Sequence, residues 1–251
     1  MPSLTLTAAI GLALASTSVA ASELVVLSAG AVKAALAESA AQWQKRGTHT
    51  VKASFAPAGE LRKRLAAREF ADVLVIPVEN LAMLERDGVI VPGTRHDLGM
   101  VATAAAVKKG APVPDVSTIE GLRKALLEAK SVTYMDPKIG TSGRNFDEGV
   151  LPKLGIRDEV RAKTVFGEGG YIAEKVARGE VDIAFHNVTE ILPVQGVTIA
   201  GLLPKELQQP IVYSGVVMSG AKDPAAARAL LDYMVSPEGR KPFLDRGFTA
   251  P

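Results

Sequence analysis

The sequence contains no cysteine among its 251 residues. This absence excludes disulfide bridges, metal sites built on thiolates and catalysis by a cysteine nucleophile. Only three histidines are present, His49, His96 and His186, and they lie too far apart for the spacing of a metal site. We therefore predict no metal ion or cofactor, and a fold that depends on a sizeable hydrophobic core.

Aromatic residues are also scarce, at 5% of the chain, and the formal net charge at pH 7 is only +2. Proteins that bind nucleic acid use basic clusters and aromatic side chains on which bases stack. The sequence has no run rich in lysine or arginine, so no nucleic-acid partner is predicted. A mildly basic chain is compatible with small anionic ligands.

Charged residues are absent from the start of the chain up to about Ala21. An apolar stretch covers Leu4–Leu14, and Ser18–Ala20 resembles a small-x-small cleavage site, as is typical of a secretory signal peptide. We predict a signal peptide over residues 1–21. A short N-terminal anchor is the alternative, because the lysine or arginine usual near the start is missing; the segment is at the short end for spanning a bilayer.

From Glu23 onward, short apolar runs alternate with helical patterns. Strands are predicted at Leu24–Leu27, Val51–Phe55 and Ala71–Ile76, and each is followed by a turn and a helix. A series of strand–turn–helix units is typical of the α/β class, with a parallel sheet covered on both faces.

Two longer extended runs, Gly99–Lys108 and Ile211–Met218, interrupt this alternation. We interpret them as two crossings between two α/β lobes with a central ligand cleft. Residues 22–99 together with 214–251 are expected to form lobe 1, and residues 100–213 to form lobe 2.

The stretch Ala129–Asp147 carries the most distinctive candidate site. It predicts a buried strand, then a Gly140–Gly143 loop that opens a helix, with Arg144 next. The first N–H groups of a helix lack partners and attract anions, and an arginine can bind a carboxylate with two parallel hydrogen bonds. Two alternatives stay open: Thr141 or Ser142 only caps the helix, and Arg144 only pairs with an acidic residue on its own helix.

Five other segments of mostly small residues also follow predicted strands. Ligands of α/β sheets bind beyond the carboxyl ends of strands, so we expect these segments to converge on one cleft. The residues predicted to bind the ligand are Ser28, Ala29, Gly30, Ala31, Ala58, Gly59, Pro77, Thr141, Ser142, Arg144, Gly169, Gly170, His186 and Asn187. The alternative for His186 is a role behind the site or at the surface, and no spacing indicates that Asp182 and Glu190 form a catalytic carboxylate pair.

The chain resembles the periplasmic molybdate-binding proteins of ABC transporters from about Leu24 to Phe248. The matching segments, in the same order, are LSAGAVKAALAE, FAPAGELRKRLA, ADVLVIP, DPKIGTSGR, VARGEVDIAF and SPEGRKPFLDRGF. The resemblance implies a type II periplasmic-binding-protein fold, a periplasmic location and an ABC permease as partner. We expect a monomer.

The resemblance also implies a change of ligand. In the molybdate family two serine hydroxyls and a tyrosine hydroxyl hold the oxyanion, and by motif these positions fall on Ala31, Ala58 and Asn187. A buried dianion that loses such donors is poorly satisfied. An organic polycarboxylate is therefore the preferred ligand, with molybdate or another oxyanion as the alternative.

Proteins similar to this family include an exported enzyme, aconitate isomerase, which interconverts trans- and cis-aconitate. If the chain belongs to that branch, Arg144 and the helix N-termini are expected to hold carboxylates. His186, Tyr171 or Glu168 is expected to move the proton, because an imidazole has a pKa suited to neutral pH. The sequence favours a solute-binding protein first, the isomerase second, and a protein with a vestigial cleft third.

Overall fold

The computed structural model describes residues 21–251, so all of the predicted signal peptide except Ala21 lies outside the described residues. The strands are β1 (Glu23–Ala29), β2 (Thr50–Ala56), β3 (Val73–Pro77), β4 (His96–Val101), β5 (Thr103–Lys108), β6 (Val132–Tyr134), β7 (Ile183–Asn187), β8 (Val197–Leu202) and β9 (Ile211–Val217).

Helices cover the faces of the sheets that these strands form. They are α1 (Lys33–Gln44), α2 (Ala58–Ala66), α3 (Leu81–Arg86), α4 (Ile119–Glu128), α5 (Thr141–Arg144), α6 (Leu151–Leu154), α7 (Arg157–Arg161), α8 (Glu174–Arg178), α9 (Val188–Ile191), α10 (Pro224–Val235) and α11 (Pro237–Leu244). Short 3-10 segments, Gly30–Val32 and Val78–Asn80, precede α1 and α3, and a π-helical segment, Asn145–Val150, joins α5 to α6.

The described strands form two separate sheets. One sheet has five strands in the order β2-β1-β3-β9-β4, and the other has four in the order β6-β7-β5-β8. The three strands predicted as strand–turn–helix units, β1, β2 and β3, are parallel as expected. Each sheet as a whole is mixed, because β9 runs antiparallel to β3 and β4, and β5 runs antiparallel to β7 and β8. These antiparallel strands include the ones that enter or leave a sheet at the two crossings, and such strands need not follow the right-handed crossovers that make strands parallel.

The two extended runs lie where the chain changes sheet. The run Gly99–Lys108 comprises the end of β4 and all of β5, which belong to different sheets, with Ala102 between them. The chain returns between Leu202 and Ile211, and β4 then pairs with β9 so that Met100 lies opposite Val212. The exact lobe boundaries stay a prediction.

Each sheet has its own hydrophobic core. All five residues of β3 are buried because the strand lies in the middle of its sheet with helices on both faces. In the four-stranded sheet, Phe146 stacks on Phe185 with ring centroids 4.7 Å apart, and Tyr134 packs on Phe146. These cores fix the strand ends, and the strand ends carry the candidate site.

Helix α4 has a side-chain cap at its N-terminus. Thr118 is the N-cap, and its hydroxyl accepts a hydrogen bond from the Gly121 amide at 3.0 Å. The preceding residue, Ser117, donates from its amide and its hydroxyl to Asp115. No helix within residues 21–251 has both the length and the apolar character needed to cross a membrane.

Candidate ligand site

Strand ends from both sheets meet around two adjoining cavities. The inner cavity has a volume of about 30 Å³ and the outer one about 300 Å³. Gly30, Pro57, Met135 and Glu190 line both, so the two cavities are continuous along these residues. The convergence of strand-end segments that the sequence predicts is present.

Most of the predicted ligand-binding residues line these cavities. The inner cavity is lined by Ala29, Gly30, Ala31, Ala58, Pro77, Thr141, Ser142, His186 and Asn187. The outer cavity is lined by Gly169, Gly170 and Tyr171.

Three predicted residues do not line either cavity. The Ser28 hydroxyl is fully buried within β1, where it donates to the Ala29 carbonyl at 3.2 Å. The Gly59 amide donates to the Ile139 carbonyl at 2.8 Å, which ties the loop after β2 to the loop before α5. Arg144 is absent from both linings, and within residues 21–251 it forms no ion pair with Asp147 or Glu148.

The start of α5 has the geometry expected of a ligand site rather than of a simple helix cap. Gly140 is the N-cap, and no side chain caps the helix. The Thr141 hydroxyl oxygen is buried and has no hydrogen-bond partner. The alternative that Thr141 or Ser142 serves as the cap is therefore wrong, and both side chains line the inner cavity.

Unpartnered polar atoms gather around the inner cavity. His186 Nδ1 and Asn187 Oδ1 are buried without a partner, as is the Thr141 hydroxyl, and the three residues are at most 4% exposed. A buried polar atom without a hydrogen bond costs about 1–3 kcal/mol, so such atoms are rare in folded proteins. Three of them around one cavity indicate that a ligand completes the site.

Glu190 is the site residue that the sequence analysis missed. Helix α9 starts directly after β7, so Glu190 lies one turn along and its side chain folds back over the strand end. Its Oε2 accepts from Asn187 Nδ2 at 2.8 Å and lies 3.3 Å from His186 Nε2. His186 and Glu190 are four residues apart, a spacing that brings side chains together within one helix. Here the spacing runs from a strand into a helix, so the rule does not apply and the contact could not be predicted from it.

The environment sets the protonation of the groups around Glu190. Burial lowers the pKa of the His186 imidazole, and the negative charge of Glu190 opposes this only in part. The ring is therefore held in its neutral form, with Nε2 3.3 Å from Glu190 Oε2 and Nδ1 buried without a partner beside the inner cavity. Burial, followed by the charge of Glu190, also raises the pKa of Tyr213 well above its usual value, so its hydroxyl stays protonated.

Tyr213 restores a tyrosine hydroxyl to the inner cavity from a different strand. It lies on β9, and its hydroxyl accepts a hydrogen bond from Asn187 Nδ2 at 3.1 Å. Asn187, where the resemblance to molybdate-binding proteins implies their tyrosine position, touches Tyr213. No sequence pattern indicated this role, because Tyr213 lies inside a long extended run.

Comparison with known proteins defines the class and then the family. Two α/β units with a cleft at their strand ends, matched by solved structures of periplasmic binding proteins, confirm the type II periplasmic-binding-protein fold. The family model described as bacterial extracellular solute-binding protein matches residues 24–249. The chain belongs to this family, and to its molybdate-binding-protein-like group.

Individual relatives differ in what they are named for. An aconitate isomerase from Pseudomonas sp. is 33% identical over 89% of this chain and 86% of its own length. The molybdate-binding protein ModA of Azotobacter vinelandii is 28% identical over 93% of this chain and 92% of its own length. The solved structure of a periplasmic molybdate-binding protein from Azotobacter vinelandii superposes with a TM-score of 0.78 at 22% identity, covering 91% of this chain and 99% of that one.

Proposed function

We propose that this protein is an isomerase that moves the carbon–carbon double bond of a small unsaturated polycarboxylate, with aconitate as the expected substrate. The sequence analysis favoured a solute-binding protein without catalysis. Two observations reverse that order: the 33% identity to an aconitate isomerase along most of both chains, and the carboxylate of Glu190 in the cavity wall. Export to the periplasm stays part of the proposal.

The main support for the proposal is the buried carboxylate of Glu190 in the wall of both cavities. The residue is 5% exposed and lines both cavities, and no arginine or lysine forms an ion pair with it within residues 21–251. Two like charges about 4 Å apart repel by about 4 kcal/mol at an effective dielectric constant of about 20. A site that only binds an anion gains nothing from such a group, whereas a site that removes a proton needs it.

Glu190 is placed to act as the general base. Its Oε2 accepts a hydrogen bond from Asn187 and lies 3.3 Å from His186 Nε2, and its Oε1 lies close to the backbone of Gly30 at the boundary between the cavities. A Cβ built on Gly30 would lie 3.1 Å from that oxygen, so glycine keeps the space in front of the carboxylate open. His186 would act as a positioning residue that orients Glu190 and shares its proton.

The proposed reaction is balanced without any co-reactant. The C–H bond at the methylene carbon of trans-aconitate breaks, and the proton moves to the Glu190 carboxylate. The electron pair forms a new double bond as the old one opens, with negative charge spread onto a substrate carboxylate. The proton then returns to the far carbon of the allylic system, and cis-aconitate forms with no net oxidation.

The hydroxyl groups of the inner cavity would stabilise the negative charge that develops on a substrate carboxylate during proton removal. Thr141, Ser142 and Tyr213 surround the space where a substrate carboxylate must lie if it is to reach Glu190. Donors placed where charge develops in the transition state are among the largest contributions to catalysis. Arg144 stays a proposed contributor only if the cleft rearranges around the substrate.

Replacement of Glu190 by glutamine tests the proposal. We expect Glu190→Gln to lower turnover of trans-aconitate by about 10²–10⁴-fold, because general base catalysis contributes on that order. Affinity for tricarballylate, the saturated analogue, should be unchanged or higher, because a negative charge has been removed. Proton NMR of aconitate and calorimetry with tricarballylate measure the two quantities.

The matched control is Glu128→Gln, at an exposed glutamate that pairs only with Lys124 on the surface of α4. This control should leave both quantities unchanged. Equal turnover by wild type and Glu190→Gln would remove Glu190 from the mechanism.

A solute-binding protein without catalysis is the second candidate. It is favoured by the family match over residues 24–249 and by the 28% identity to a molybdate-binding protein. In this case a small anion, such as a polycarboxylate or an oxyanion, would be delivered to an ABC permease. Selective line broadening of aconitate signals without any conversion would support this candidate over the isomerase.

A further inference from the structure

The outer cavity is lined by one positively charged side chain, which has no role in the proton transfer proposed above. Of the described residues that line the two cavities, Lys33 is the only lysine or arginine. It lies at the first position of α1, directly after the 3-10 segment that contains Gly30. Within residues 21–251 its ammonium group forms no ion pair and no hydrogen bond to a side chain.

The inner cavity is much smaller than the outer one, about 30 Å³ against about 300 Å³. A substrate that places one carboxylate among Thr141, Ser142 and Tyr213 therefore finds most of the open space for its other groups past Glu190, in the outer cavity.

Lys33 is exposed, and its ammonium group lies near two aromatic rings that come from opposite sides of the cleft. Its Nζ lies 6.0 Å from the ring centroid of Phe55 on β2 and 5.9 Å from that of Tyr171, which precedes α8. Both contacts are within the range of cation–π attraction, which favours an ammonium group held at this point. Tyr171 and Phe55 themselves line the cavity, so the charge borders the space that the substrate would enter.

We infer that Lys33 binds a carboxylate of the substrate in the outer cavity and so selects tricarboxylates over dicarboxylates. This inference rests on the polycarboxylate ligand of the proposed function and deepens it. A dicarboxylate that lacks this terminal group can still place a carboxylate in the inner cavity and reach Glu190, but it leaves Lys33 solvated. A third carboxylate gains an ion pair with Lys33, and the positive charge of Lys33 also offsets part of the repulsion between that carboxylate and Glu190.

Calorimetric titration of two unreactive acids tests the inference. The probes are tricarballylate and 2-methylsuccinate, which lacks one terminal carboxylate of tricarballylate. We expect Lys33→Met to weaken tricarballylate binding about tenfold and 2-methylsuccinate binding less than about twofold. Lys33→Arg should keep most of the tricarballylate affinity, because the charge remains.

The matched control is Lys45→Met, at an exposed lysine that ends the same helix and lies outside both cavities. It should bind both acids as wild type does. Equal weakening of both acids by Lys33→Met, no weakening of either, or no binding of either acid by wild type would each overturn the inference.

Turnover of trans-aconitate by wild type, measured in parallel, separates this inference from the proposed function. An active wild type together with a Lys33→Met variant that binds tricarballylate normally defeats only the role of Lys33. An inactive wild type whose preference for tricarballylate depends on Lys33 defeats only the isomerase.

Discussion

The buried imidazole of His186 makes the stability of the protein depend on pH. Burial lowers the pKa of His186 in the folded state, whereas in the unfolded chain it is near 6.5. As the pH falls below about 6.5 the unfolded state takes up a proton first, so protonation favours unfolding. The stabilising effect of the neutral ring is therefore fully present above about pH 6.5 and is lost as the pH falls toward the folded-state pKa.

We expect His186→Gln to flatten this dependence. Urea unfolding at several pH values between about 5 and 7 should give a smaller slope of unfolding free energy against pH in the variant than in wild type. Identical slopes in His186→Gln and wild type would mean that His186 does not cause the pH dependence of the unfolding free energy.

The sequence predicted the site residues that lie at the end of a strand or loop. It did not predict site residues that lie further along a helix or inside a strand. Thr141, Ser142, His186 and Asn187 stand directly at strand or loop ends, and all four line the inner cavity. Glu190 belongs to the site only because α9 begins without a loop. Tyr213 belongs to it only because β9 inserts between β3 and β4, a strand order that no local pattern encodes.

The loop from β6 to α5 is the element on which the site depends, and its glycines hold it against the strand end. A Cβ at Gly143 would lie 1.8 Å from the Met135 carbonyl oxygen, so the backbone must move to accept any side chain there. We expect Gly143→Ala to lower the free energy of unfolding by about 1–3 kcal/mol, as overpacking in a well-packed region does. Turnover should fall as well, because Thr141 and Ser142 move with the loop.

Chemical denaturation of Gly143→Ala beside Gly47→Ala checks this prediction. A Cβ at Gly47 would meet no atom within 4 Å, so that variant should stay within about 0.5 kcal/mol of wild type. Equal stabilities of the two variants would show that the loop tolerates a side chain and is not tightly held.

A network of ion pairs and hydrogen bonds around the buried Asp147 stabilises the segment Asn145–Val150, which follows α5. Asp147 is fully buried and accepts hydrogen bonds from Tyr134, Arg157 and Arg161. Burial opposes its ionisation, but the hydrogen bonds from Arg161, Tyr134 and Arg157 outweigh it and leave the pKa of Asp147 lowered. The sequence suggested Asp147 as a partner of Arg144 on the same helix, and the arginines that bind it lie instead on α7.

At the scale of the whole molecule, one backbone contact holds the two sides of the cleft together. The Gly59 amide bonds to Ile139, and a Cβ at Gly59 would lie 2.9 Å from the Ile139 carbonyl oxygen. We expect Gly59→Ala to keep the cleft more open, because alanine suits helix α2 but clashes across the cleft. Affinity for tricarballylate should fall about tenfold, while the free energy of unfolding without ligand stays equal or rises by up to about 1 kcal/mol.

X-ray scattering and calorimetry on the same samples check the effect of Gly59→Ala. A larger radius of gyration together with weaker binding is the expected pair of results. Wild-type affinity and an unchanged radius would mean that this contact does not control closure.

The overall class and the parallel direction of β1, β2 and β3 could be predicted from the sequence, whereas the antiparallel direction of β9 could not. Apolar runs followed by small-residue turns predict α/β units, and the order of the motifs from Leu24 to Phe248 identifies the family. Antiparallel pairing of β9 with β3 and β4 depends on where the chain re-enters the first sheet, which is a property of the complete fold.

The most direct test of catalysis in the cleft is proton NMR of wild-type protein with excess trans-aconitate, followed over time. We expect cis-aconitate signals to grow until the two isomers reach equilibrium, and to fail to grow with Glu190→Gln. Signals of trans-aconitate that stay unchanged with folded wild-type protein would contradict the isomerase and leave a solute-binding protein in its place.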